Sequence, residues 1–172
     1  MVIAAMLCST FVIPGEGARA VDWGTIELAG RQVTPGEKLK FSFVRDETFE
    51  ASYLDTAIFV ARGTAPGPTL CLSAGIHGDE INGVEVARRA FAETAVSGLT
   101  GMLIALPAIN ADGFRTGSRY LSDRRDLNRF FPGRENGSVA SLIADTVFSQ
   151  VIRRCDALVD LHTASFRRAN LP

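Results

Sequence analysis

The chain is poor in the features that make several function classes easy to assign. Basic residues are not in excess: 18 Lys and Arg against 19 Asp and Glu give a formal net charge of -1. Arginine doublets at 88–89, 124–125, 153–154 and 167–168 are scattered and form no basic block. They read as solvated faces, and nucleic-acid binding is disfavoured. Cysteine is scarce, with Cys8, Cys71 and Cys155 the only three and no CxxC spacing among them. The expectation is no disulfide framework, with Cys71 a small buried thiol inside an apolar strand. Neither a G-x-S-x-G elbow nor a G-x-x-x-x-G-K-[ST] loop is present, which argues against a serine hydrolase of that type and against a phosphate cradle.

Long hydrophobic runs are also missing. Residues 2–13 (VIAAMLCSTFVI) are apolar but too short to span a membrane comfortably. Pro14-Gly15 breaks any helix there, and Ala18-Arg19-Ala20 resembles a signal-peptidase site, although no Lys or Arg precedes the run. Residues 1–20 are therefore expected to be a signal peptide, making the protein periplasmic or secreted. If they form a buried first strand instead, it is cytoplasmic. No stable membrane anchor is expected.

What is present suits one domain: 172 residues, 47% of them hydrophobic, are enough to bury a core. Residues 38–44 (KLKFSFV) alternate polar and apolar as a half-buried strand does. Residues 56–61 (TAIFVA), 69–74 (TLCLSA), 101–106 (GMLIAL) and 156–161 (DALVDL) are further strand candidates. Gly63 to Pro68 is turn-rich. Helices are expected over 81–96, with Ile81, Val84, Ala87, Arg88 and Phe91 at helical spacing, and over 138–152. Residues 21–36 show no clear period. Residues 110–133 are a long polar loop, of the kind that is usually functional inside a compact domain. The order is that of βαβ units, an α/β fold with a mostly parallel or mixed twisted sheet flanked by helices. In such sheets ligands bind beyond the carboxyl ends of the strands.

Histidine is scarce, with two in the chain. His77, in "GIHGDE", follows the strand at 69–74, and His162 follows the strand at 156–161. Glu80 lies three residues after His77 at a strand-to-helix junction, where Gly75 and Gly78 permit a sharp turn and a close backbone approach. Two imidazoles and a carboxylate are a known ligand set for catalytic zinc, which keeps one position open for water. The blander readings are a dipole-complementing Glu at a helix start and a hydrogen-bonded His at a strand end. A third segment, "DLNR" at 126–129, sets the Asn128 amide beside the Arg129 guanidinium, a fork suited to a carboxylate. Arg119, Arg124 and Arg125 add charge nearby, and a basic surface patch is the alternative there.

Together, "GPTLCLSAGIHGDEINGVEVARR", "DLNRFFPG" and "LVDLHTAS" resemble the succinylglutamate desuccinylase/aspartoacylase family of the zinc-carboxypeptidase superfamily. The resemblance runs over residues 57–172. It implies a zinc-carboxypeptidase-like α/β/α fold and one zinc ion per chain, held by His77, Glu80 and His162. It further implies that Asn128 and Arg129 grip the carboxylate of a small N-acylated amino acid or related amine. Arg119 matches the family's additional arginine, with Arg124 as a rival by spacing. The implied activity is metal-dependent amide hydrolysis, a deacylase, with related enzymes acting instead as carboxypeptidases on peptides. One departure stands out: no Asp or Glu follows Asp160, whereas the family's general-base glutamate comes well after the third ligand. Residues 21–172 are accordingly expected to be the N-terminal part of a zinc hydrolase domain, a fragment whose own turnover is in doubt. The competing expectation is a non-catalytic metal-binding remnant.

Overall fold

A computed structural model describes residues 23–45 and 54–168. The leader expected at residues 1–20 lies outside the described residues. β1 (Ile26–Leu28) and β2 (Arg31–Val33) form a two-stranded hairpin. Its turn, Ala29-Gly30, has positive φ at both residues, as the twist of a tight hairpin requires. Strands of three residues are too short to show a period, which is why the sequence pattern missed them.

The main sheet has five strands: β3 (Lys38–Arg45), β4 (Leu54–Arg62), β5 (Ala65–Ala74), β6 (Thr100–Leu106) and β7 (Ala157–Leu161). Their spatial order is β3-β4-β6-β5-β7. β5 pairs in parallel with both β6 and β7, while β3–β4 and β4–β6 are antiparallel, so the sheet is mixed. β5 begins four residues earlier than its apolar run. A register irregularity between Ala65 and Thr69 lets the strand carry Pro66 and Pro68, which cannot donate to a ladder.

Helices cover both faces. α1 (Ile81–Glu93) turns Gly83, Ala87 and Phe91 toward the sheet, where Ala61, Ala74, Leu103 and Ala105 await them. Ile81 and Arg88, expected on that stripe, are exposed. The inner face follows i, i+4, i+8 from Gly83, because that glycine lets α1 sit almost on the Leu161 backbone. The helix stops at Glu93, earlier than its apolar pattern, where Thr94 turns extended. The Lys38 ammonium donates to the Ala92 and Thr94 carbonyls at 2.8 Å, satisfying orphan acceptors at the negative end of the helix. α3 (Val139–Gln150) covers the other face with Ala140, Ala144 and Val147, capped at its start by Ser138. The long loop also holds a short helix, α2 (Ala111–Thr116), with Asn110 as its N-cap.

One expectation is overturned. Cys71 is not a free thiol: it is bridged to Cys155 across 84 residues, with Cα atoms 5.8 Å apart. Cys71 stands opposite Leu158 in the β5–β7 pairing, and Cys155 lies just ahead of β7 on the same side. Strand pairing, which sequence spacing does not reveal, brings the two together.

Candidate metal centre

The chain leaves β5 for α1 on one face and crosses from β6 over β5 to β7 on the other. This reversal makes the carboxyl end of β5 a topological switch point. His77, Asn110 and His162 follow β5, β6 and β7, as their strand-end positions implied. Gly75 turns the chain with φ +60°, and Gly78 presses against α2 so closely that a Cβ would lie 1.9 Å from the Gly113 carbonyl carbon. Only glycine fits there, and the contact fixes the loop that carries His77 and Glu80.

His77, Glu80 and His162 bring one ligand atom each within 4.8 Å of one another. His77 and Glu80 are buried, whereas the His162 side chain keeps 31% of its surface exposed, so the group is open on one side. The Nδ1 atoms of His77 and His162 each lie 2.9 Å from a different oxygen of Glu80. Both outer Nε2 atoms face carboxylates: His77 meets Asp126 at 3.1 Å and His162 meets Asp160 at 2.7 Å. A neutral imidazole carries one N–H and can donate to only one of its two carboxylates. With the outer carboxylates holding Nε2–H, the Nδ1 lone pairs converge on the Glu80 oxygens, an arrangement that calls for a cation between them. The donor set therefore fits a divalent ion such as zinc, with outer partners that orient each ring.

Without an ion, a proton on His162 takes the cation's place. Burial works to raise the Glu80 pKa, but hydrogen bonds from His162, His77, Ser165 and the Thr163 amide outweigh it and hold the carboxyl well below the usual range. Asp160 first, then Glu80, push His162 up to about 10 against the effect of burial. For Asp126, burial is likewise outweighed, by Arg119 and His77, and its pKa is lowered.

The "DLNR" segment divides its labour. Asp126 caps the short 3-10 turn Leu127–Arg129 and binds His77 and Arg119. Leu127 is wholly buried in the core. Asn128 and Arg129 are exposed. Asn128 lines a cleft of about 330 Å³ with Ser73, Ile76, Phe131 and Asp160. Arg119 reaches the cluster: its guanidinium lies 3.5 Å from Glu80 and 3.0 Å from Asp126, and it borders a second cleft of about 580 Å³. Its rival, Arg124, is exposed on a residue with positive φ. Glu85 pairs with Arg88 and Arg89 out on α1.

Asp126, Asp160, Ser73, Ser165 and Asp79 were not singled out from sequence. Ser73, directly across from Asp160 in the β5–β7 pairing, donates to it at 2.6 Å and completes a Ser73–Asp160–His162 chain. A usable signal existed for two of them: a histidine ligand needs an outer acceptor, and Asp126 and Asp160 sit inside the quoted motifs.

Two histidines and a glutamate at the carboxyl ends of neighbouring parallel strands in a mixed sheet define the carboxypeptidase-like α/β class. Within that class, the model of the "Succinylglutamate desuccinylase/Aspartoacylase catalytic domain" matches residues 66–172, and the chain belongs to this family. It is 32% identical over 151 residues to an N-alpha-acetyl-L-2,4-diaminobutyric acid deacetylase of Halomonas elongata, covering 87% of this chain and 43% of that protein. It is 34% identical over 149 residues to a succinylglutamate desuccinylase of Pseudomonas aeruginosa, covering 81% and 43%. The chain thus spans less than half the length of these curated relatives. Among solved structures, an aspartoacylase family protein from Mesorhizobium loti superposes with a TM-score of 0.69 at 31% identity, covering 76% of this chain and 41% of that one.

Proposed function

We propose that this chain is the zinc-holding part of a hydrolase that removes the acyl group from a small N-acylated amino acid or related amine. The carrying observation is the convergence of both Nδ1 atoms on the two oxygens of buried Glu80. His77, Glu80 and His162 would hold the metal, one ion per chain. When bound there, zinc supplies Lewis-acid polarisation of the scissile carbonyl and acidifies water. The chain's own residues do the rest of the positioning. Asp126 and Asp160 keep the outer N–H of each imidazole engaged, so that Nδ1 presents its lone pair. Arg119, beside Glu80, is placed to stabilise charge developing on the carbonyl oxygen. Asn128 and Arg129 project outward from the turn that Asp126 caps, suited to a substrate carboxylate. Among the described residues, the carboxylates around the cluster already have partners, so the general base is assigned to a part of the domain beyond these residues. Relatives of twice the length support reading residues 21–172 as its N-terminal portion.

Metal analysis tests the centre. One zinc per chain is expected in the purified protein, with His77→Ala and His162→Ala each losing it. Equal zinc in all three would remove the ligand assignment. For the substrate class, zinc-loaded protein should bind N-acetyl and N-succinyl amino acids in preference to short peptides, and binding of peptides alone would overturn the deacylase reading. We also assign the protein to an oxidising compartment outside the cytoplasm. The apolar leader and the Cys71–Cys155 bridge support this. A reporter fused after residue 20 that stays in the cytoplasm would count against it.

A further inference from the structure

Ser165 belongs to no ligand set, yet it is buried at the centre of one, 4% exposed and three residues beyond His162. Its hydroxyl accepts a hydrogen bond from Arg119 Nη1 at 2.7 Å. The one hydroxyl proton is shared between two acceptors, Glu80 Oε1 at 2.7 Å and Asp79 Oδ1 at 3.1 Å. The other Asp79 oxygen accepts the Phe166 N–H at 2.8 Å. Phe166 sits at φ 60°, ψ 30°, a left-handed conformation that a bulky residue does not hold unaided. Asp79, from the turn that carries Glu80, therefore latches the turn that follows His162. On its other side the Arg119 guanidinium donates from Nη2 to Asp126 at 3.0 Å.

The distances show what Ser165 does for Arg119. A guanidinium this near a carboxylate is drawn into a short ion pair, yet Arg119 Nη1 stays 3.5 Å from Glu80 and spends its hydrogen bond on Ser165. We infer that Ser165, latched by Asp79, is a positioning residue that holds the Arg119 guanidinium off Glu80. The carboxylate then stays available to the metal ion, and the guanidinium to the substrate. The consequence for turnover rests on the deacylase reading above; the positioning does not.

The test uses the chain itself with Ser165→Ala, Ser165→Thr and Asp79→Asn. Two quantities are read: the Arg119 guanidinium ¹⁵N signals, assigned by their loss in Arg119→Lys, and zinc affinity from competition with a chelator. Ser165→Ala is expected to move the Arg119 signals as it re-pairs with Glu80, and to weaken zinc binding roughly tenfold, the scale of other outer partners. Ser165→Thr, which keeps the hydroxyl, should restore both, and Asp79→Asn should fall between. A role confined to fold stability would lower the unfolding midpoint and leave the Arg119 signals in place. Unchanged Arg119 signals and zinc affinity in Ser165→Ala would overturn the inference, as would failure of threonine to rescue. If these measurements come out as expected while zinc-loaded wild-type protein binds no N-acyl amino acid, the deacylase reading fails and the positioning stands.

Discussion

Reducing the Cys71–Cys155 bridge, or replacing both cysteines with serine, reopens a loop of 84 residues that joins β5 to the approach to β7. In the chain-entropy model the stabilisation is 298 K times (2.1 + 1.5R ln n) cal/mol/K, which for this loop is about 4.5 kcal/mol. Residual structure in the unfolded chain usually trims such values, so the expected loss is roughly 2–4.5 kcal/mol. At roughly 2–4 °C per kcal/mol for a chain of this size, the melting midpoint should fall by about 4–18 °C. The assay is urea denaturation of one preparation with and without a phosphine reductant, with mass spectrometry reporting the bridge in each sample. The double serine variant serves as a reductant-insensitive control. Because the bridge anchors the strand ahead of His162, zinc affinity should weaken in the same samples. Two results would refute the reasoning: two free thiols in the oxidised sample, or a confirmed bridge whose loss changes stability by less than about 1 kcal/mol.

Three further outcomes are expected. Asp160→Asn removes the strongest influence holding the His162 imidazole up at about 10, so the pKa followed by NMR should drop toward the ordinary 6.5. Zinc affinity should fall about 10- to 100-fold, and an unmoved titration would exclude Asp160 as the cause. Stability of the chelator-treated chain should also vary with pH in a defined sense. His162 is raised in the folded chain, so its contribution is complete below 6.5 and lost as pH climbs through about 10; Glu80 is lowered, so its contribution is complete above 4.5 and lost on acidification. Urea midpoints measured from pH 4 to 10 should thus fall away at both ends, and a midpoint still rising between pH 7 and 10 would contradict the His162 assignment. Finally, Phe91→Ala should cost about 3 kcal/mol or more, since Phe91 is buried beneath the sheet with its ring 5.1 Å from Phe59. Zinc stoichiometry should be unaffected, and loss of metal there would mean that the α1 core and the site are coupled.

The local pattern of residues by itself determined a good deal. Apolar runs placed β4, β5, β6 and β7 to within a few residues, because a buried strand must be continuously apolar while its ends need not be. Alternation in KLKFSFV placed β3, and strand-then-histidine spacing put His77 and His162 at strand ends, where side chains emerge from the sheet. The glycines of GIHGDE announced a tight approach, and Gly78 against Gly113 is that approach. Arg119 and Arg124 could not be separated by spacing; the fold turns Arg119 to Glu80 and leaves Arg124 at the surface.

What only the tertiary structure decided were the relations between distant segments. Strand order is set by which edges pair, and no local pattern records that. It brought Cys71 to Cys155, set Ser73 across from Asp160, and carried the turn at Ser165 back over Asp79 and Arg119. Local chemistry names the candidate ligands, since imidazole is rare in this chain and Glu80 stands three residues from one. Their outer partners are ordinary serines and aspartates, whose roles arise from being brought within hydrogen-bond reach of a candidate ligand, or of its partner, by a sheet assembled from elsewhere in the chain.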